Sequence, residues 1–234
     1  MTGKRITILC GHYGSGKTNI AVNLAIALKK ERDRVAIADI DIVNPYFRTR
    51  DAMNLLSRSG VTLISSPFAS SNVDLPALPQ ELYAITDDPG LTAVVDVGGD
   101  DRGALALGRW RDAILRENNY ELLMVLNFLR PLTRTAEDAL DVLREIENAA
   151  GIPFTGLINN TNLGAETELS HILAGDREAR RLSEMTDLPL TATTVYTTLY
   201  NQAKTLLPNV YPLHTQLTVL ANDSNNERGY LWQS

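Results

Sequence analysis

The residues with the most specific chemistry are eight in a row, Gly11-His12-Tyr13-Gly14-Ser15-Gly16-Lys17-Thr18. They satisfy the spacing G-x-x-x-x-G-K-[ST]. The glycines let the chain curl until successive backbone N–H groups point inward at phosphate oxygens. Lys17 then reaches the β- and γ-phosphates, and the Thr18 hydroxyl is placed to coordinate Mg²⁺. Such a loop needs a strand before it and a helix after it, because the helix N-terminus adds partial positive charge to the anion site. The apolar run Arg5–Cys10 reads as that strand and Thr18–Lys30 as that helix.

Two acidic features complete the pattern. Asp96 ends the apolar run Ala93-Val94-Val95 and precedes Val97-Gly98-Gly99. A carboxylate there can serve the metal, with a flexible turn beside the γ-phosphate. A second run ends in Asp39-Ile40-Asp41-Ile42-Val43-Asn44-Pro45. Alternation puts Asp39 and Asp41 on one side of the chain, at the strand end where open α/β sheets bind ligands. Two aspartates capping a turn or helix are the competing reading.

The elements that must position these groups alternate along the chain. Strand candidates are Arg5–Cys10, Arg34–Ile40, Val61–Ser65, Leu91–Val97, Leu122–Asn127, Phe154–Asn159 and Leu188–Val195. Their nearly continuous apolar character suits parallel strands covered on both faces. Helical patterns lie between them at Thr18–Lys30, Thr49–Arg58, Arg102–Glu117, Ala136–Ala149 and Glu166–Met185, with a last stretch over Leu199–Ala221 broken at Pro208 and Pro212. The order predicts a doubly wound, mainly parallel α/β sheet of about seven strands, flanked by helices. No repeat or polar linker divides the 234 residues, so residues 1–234 read as a single nucleotide-binding domain.

Composition narrows the function. Hydrophobic residues make up 44% of the chain, enough for a core, and the formal net charge of −6 argues against nucleic-acid binding by bulk charge. One cysteine, Cys10, excludes a disulfide framework and an all-cysteine cluster within one chain. Cys10 reads as core in the first strand rather than as a ligand, and His12, His171 and His214 show no metal-ligand spacing. No apolar run approaches the length of a membrane span, and the polar tail from Asn222 lacks a basic amphipathic helix. A cytoplasmic protein without membrane anchor, nucleic-acid partner or iron–sulfur cluster is expected. Trp110, between Arg109 and Arg111, reads first as packing and second as a partner contact.

The three motifs, in this order and spacing, resemble the MinD/ParA branch of P-loop NTPases, a group also labelled CobQ/CobB/MinD/ParA. The similarity covers residues 4 to 200 or so, and only the phosphate loop is individually specific. The resemblance implies a Mg²⁺-dependent ATPase in which Asp39 and Asp96 hold the metal through its water shell. It implies that Asp41 orients the attacking water, that Asn159 touches the adenine edge, and that Val195 and Tyr196 lie along the base. A homodimer, or a protein partner controlled by nucleotide state, follows from the same likeness. Guanine recognition would want N-K-x-D, and Asn159-Asn160-Thr161-Asn162 ends in an amide instead of a carboxylate. ATP is therefore the expected nucleotide.

The departures are as informative. The family's second, signature lysine is His12 here, and Tyr13 replaces a glycine. A histidine is shorter and largely neutral at pH 7, so it cannot supply that charge across a dimer in the same way. Arg48 and Arg50 are candidates for the missing charge, or simply solvated charges at a helix start. Two functions stand. One is a slow ATPase acting as a switch on a protein partner, in cofactor or metalloprotein maturation. The other is an ATP-dependent small-molecule kinase or ligase resembling dethiobiotin synthetase. The irregular Ser65–Pro79 stretch suits either a partner surface or a substrate pocket.

Overall fold

The computed structural model describes residues 3–40, 50–65, 80–99, 101–214, 216–218 and 231–233. Asp41, Arg48, the Arg50 side chain and the irregular stretch after Ser65 lie outside the described part. The strands are β1 (Ile6–Cys10), β2 (Val35–Asp39), β3 (Thr62–Ser65), β4 (Thr92–Asp96), β5 (Tyr120–Leu126), β6 (Gly156–Asn159), β7 (Leu190–Tyr196) and β8 (Val210–Leu213). Interleaved with them are α1 (Lys17–Lys29), α2 (Arg50–Arg58), α3 (Gln80–Asp87), α4 (Asp101–Glu117), α5 (Ala136–Ala150), α6 (Leu169–Thr186) and α7 (Thr197–Leu206).

The eight strands form one sheet in the order β3-β2-β4-β1-β5-β6-β7-β8, and every pairing is parallel. Alternation along β1 divides the core. Ile6, Ile8 and Cys10 face the layer holding Leu82 and Ile85 of α3, Leu107, Trp110 and Ile114 of α4, and Leu143 of α5. Leu9 faces Ile20, Leu24 and Leu28 of α1 and Leu56 of α2. Both faces of the central strands are dry, which explains why they read as unbroken apolar runs. Trp110 is 1% exposed inside the first layer, so its role is packing.

The C-terminal third departs from the sequence reading. The helical stretch expected over Leu199–Ala221 ends at Leu206, and Val210-Tyr211-Pro212-Leu213 forms an eighth strand. Pro212 is tolerated because β8 is the sheet's edge, where one row of backbone N–H groups has no ladder partner. Helix α3 was also unexpected; it buries Leu82 and Ile85, spaced i, i+3 on one face. Leu231–Gln233 pairs antiparallel with Gln216–Thr218.

Candidate functional site

The phosphate loop leaves β1 at the point where the strand order reverses, with β4 on one flank and β5 on the other. Ligands of open parallel sheets bind at the carboxyl ends of strands at such a switch point. Close packing forces the curl. A Cβ on Gly11 would stand 2.3 Å from the Val125 main-chain oxygen of β5. Gly16 is left-handed at φ +89°, and a Cβ there would meet the Asn160 amide at 2.2 Å. Only glycine fits either position.

Lys17 is buried, and its Nζ donates to the main-chain oxygens of Gly11 (2.8 Å) and His12 (3.3 Å). The ammonium thus stands across the mouth of the loop, 3.0 Å from where a Cβ on Gly99 would be. The turn after β4 closes the other side: that same Cβ would lie 2.7 Å from the Tyr13 main-chain nitrogen. His12 bonds locally, its Nδ1 lying 3.1 Å from the Tyr13 oxygen, and Tyr13 is 66% exposed at the loop's tip.

On the β4 flank, the Thr18 hydroxyl donates to Asp96 Oδ2 at 2.6 Å. Asp39 and Asp96 are register partners on adjacent parallel strands, so their side chains share the α1 face, and both are buried. Two buried carboxylates side by side with a hydroxyl form an all-oxygen donor set of the kind Mg²⁺ takes, together with waters and substrate phosphates. The residues present therefore fit the metal that the motif implies. Cys10 borders this ground without joining it. Burial pushes its thiol up to about 12, the Lys17 charge pulling it down and Asp96 raising it further. At neutral pH it is a protonated core residue.

On the β5 flank, polar side chains brace the loop from behind. Asn160 Nδ2 donates to the Ser15 main-chain oxygen (2.7 Å), while its Oδ1 accepts from the Thr194 hydroxyl (2.7 Å). Asn159, the residue expected at the base, is fully buried. Its Oδ1 accepts from the Thr161 N–H and hydroxyl, and its Nδ2 lies 3.5 Å from the Ile172 oxygen. Val195 packs with Ile172 and Ala203, and Tyr196 hydrogen-bonds Asn19 of α1. Asn162 is held within its own loop, donating to the Asn160 oxygen and accepting from the Gly164 N–H. Asn160 as a brace was not foreseen, although it stands next to the residue singled out.

A cavity of about 350 Å³ opens beside the loop, between Gly98–Gly99, Ala104 of α4, Leu132, and Val142 and Glu145 of α5. Wider hollows lined by Gly60–Leu63 and by Asp33–Val35 lie at the opposite, amino-terminal edge of the strands.

The family model described as the CobQ/CobB/MinD/ParA nucleotide binding domain matches residues 6–174. The chain belongs to this family. A comparison with curated proteins found no match. Among solved structures, the fold is similar to the cell division protein FtsY of Thermotoga maritima, with a TM-score of 0.57 and 17% identity over 82% of this chain and 62% of that one. It is similar to FlhF complexed with GTP and Mg²⁺, with a TM-score of 0.55 and 15% identity over 82% and 66%. The signal recognition particle receptor FtsY of Elizabethkingia anophelis matches at 0.52 with 18% identity, over 82% and 59%. The chain thus spans just under two thirds of the length of these FtsY and FlhF chains. At such identities the likeness establishes the α/β P-loop fold. The family match makes this a nucleotide-binding P-loop protein. Among the described residues, no helix is long and apolar enough to cross a membrane.

Proposed function

We propose that this chain binds Mg²⁺·ATP and hydrolyses it slowly, as a nucleotide-driven switch acting on a protein partner. The observation that carries the reading is the convergence at one sheet edge of the Lys17 ammonium, the Thr18–Asp96 hydrogen bond and the neighbouring Asp39. Thr18, Asp39 and Asp96 would hold the metal, which would supply charge neutralisation at the β- and γ-phosphates. The loop's N–H groups and Lys17 hold those phosphates in place, so positioning supplies most of the chemistry. Asp41, carried over from the family, orients the attacking water. The base lies toward β6 and β7, near Asn159, Val195 and Tyr196. ATP is preferred to GTP because the corner that guanine recognition would give to a carboxylate holds the Asn162 amide.

Lys17→Ala is expected to lower ATP affinity by a hundredfold or more, since the phosphates lose their main cation; calorimetric titration reads this directly. Unchanged affinity would end the assignment. Asp41→Ala should keep ATP and lose most turnover. GTP binding as tightly as ATP in the same titrations would remove the adenine preference alone.

One observation favours a second reading. The cavity beside Gly98–Gly99 adjoins the turn at the γ-phosphate end, where an acceptor would sit in a small-molecule kinase or ligase. ATP turnover that rises on addition of a small acceptor, with phosphate found on the product, would favour it over the switch.

A further inference from the structure

We propose that Arg130 is a nucleotide-binding residue that brings a second cation to the phosphates from the β5 flank; this rests on the nucleotide reading above. Strand β5 runs into Asn127, which is fully buried and folds the following loop tightly. The Asn127 main-chain oxygen accepts from the Arg130 N–H (3.0 Å) and the Thr133 hydroxyl (2.8 Å), and its side-chain oxygen accepts from Leu129 N–H (3.1 Å). Pro131 opens the short turn Pro131–Thr133 and holds Arg130 extended, at φ −98° and ψ 144°. The backbone that carries this side chain is therefore fixed on both sides.

From there Arg130 crosses to the phosphate loop, 116 residues away in sequence, and its Nε donates to the Gly14 main-chain oxygen at 3.1 Å. A Cβ on Gly14 would meet the guanidinium at 3.2 to 3.6 Å, so the planar group lies against the loop. That bond uses Nε and leaves the terminal nitrogens to other acceptors. None of the ion pairs among the described residues includes Arg130.

The demand for such a charge is visible in the loop itself. Lys17 is its cation, and position 12 is a histidine bonded to its own loop. Sheet order gives the direction of approach. The metal-side carboxylates stand on β2 and β4, whereas β5 lies on the other flank of β1, toward β6 and β7. Arg130 therefore meets the phosphates from the nucleoside end, within reach of groups that ADP and ATP share. A guanidinium with a fixed stem loses little entropy on gripping phosphate oxygens, and such charge-assisted bonds are strong.

The test separates charge from scaffolding. Arg130→Gln keeps a donor for the Gly14 oxygen and removes the charge; Arg130→Lys keeps the charge. Calorimetry should show Arg130→Gln losing about tenfold in affinity for both ATP and ADP, with Arg130→Lys retaining most of the parent affinity. Parent affinity in Arg130→Gln would overturn the proposal and leave Arg130 as a tie to Gly14. A parent protein that binds no nucleotide would overturn the general reading as well. Phenylglyoxal labelling of the parent with peptide mass spectrometry needs no variant. ATP should slow modification of Arg130 severalfold, and an unchanged rate would overturn the proposal even if Arg130→Gln folds poorly.

Discussion

Cys10 shows how a side chain beside a charged site can be kept out of its chemistry. Its thiol sits in the dry layer under β1, and burial raises its ionisation from 9.0 to about 12. An unfolded chain ionises this thiol from about pH 9, while the folded one keeps its proton. Between those values the folded state binds more protons, so stability present below pH 9 is lost as pH rises toward 12, at about 1.4 kcal/mol per pH unit. Urea denaturation at pH 8, 9.5 and 10.5 should show a steeper decline for the parent than for Cys10→Ala; parallel declines would contradict the burial argument. At this scale spacing alone placed Lys17, Thr18 and Asp96 at one strand end, and the structure brings them together there. Spacing gave no sign of Arg130, because a lone arginine before a proline has no pattern that ties it to a glycine 116 residues earlier.

The loops after β1, β5 and β6 and the carboxyl end of β7 form one polar assembly, and Asn160 is the joint between them. Removing its amide strands the buried Ser15 oxygen and takes from the Thr194 hydroxyl its shorter acceptor, leaving it the Asn159 main-chain oxygen at 3.2 Å. Asn160→Ala should cost about 2 kcal/mol in a urea titration, within the range for orphaned buried hydrogen-bonding groups. Asn162→Ala, whose partners are local and part-buried, should cost less than half as much by the same measurement. Elements built from continuous β-branched runs, such as β1, β2 and β4, were legible because burial on both faces writes itself into composition. Strand β8 was not, since four edge residues containing Pro212 look like a broken helix until a neighbouring strand is known. Helix α3 is two turns long, and its signal amounts to little more than the Leu82 and Ile85 pair.

For the whole molecule, the proposed switch predicts that nucleotide state changes the surface around the loop. The Gly98–Gly99 turn already touches Tyr13, and a γ-phosphate beside Lys17 would bear on both. Tyr13 and Leu132 are large apolar side chains exposed at this same opening. Light scattering on Asp41→Ala protein should therefore give a higher mass with ATP than with ADP, and Tyr13→Ala should lower that mass while ATP affinity stays near parent. Equal masses in both nucleotides would remove self-association and leave binding of a different protein as the switch's output. Nothing in the sequence could have exposed this patch, because Tyr13 and Leu132 are 119 positions apart and meet only through the sheet.

The central position of β1 also bears on how the protein comes into being. The strand that carries the phosphate loop is made before both of its hydrogen-bonding partners, β4 and β5, which lie about 85 and 115 residues downstream. Until Tyr120–Leu126 has been synthesised, β1 has only one of its two neighbours, and Gly11 lacks the Val125 oxygen against which it is packed. Pairings of such long sequence separation carry a large loop-closure cost and make folding slow. A chain emerging from the ribosome is therefore expected to retain nucleotide only after Leu126 has emerged. The first moment at which nucleotide can be retained marks completion of the central sheet, and added nucleotide should rescue refolding yield only from that stage onward.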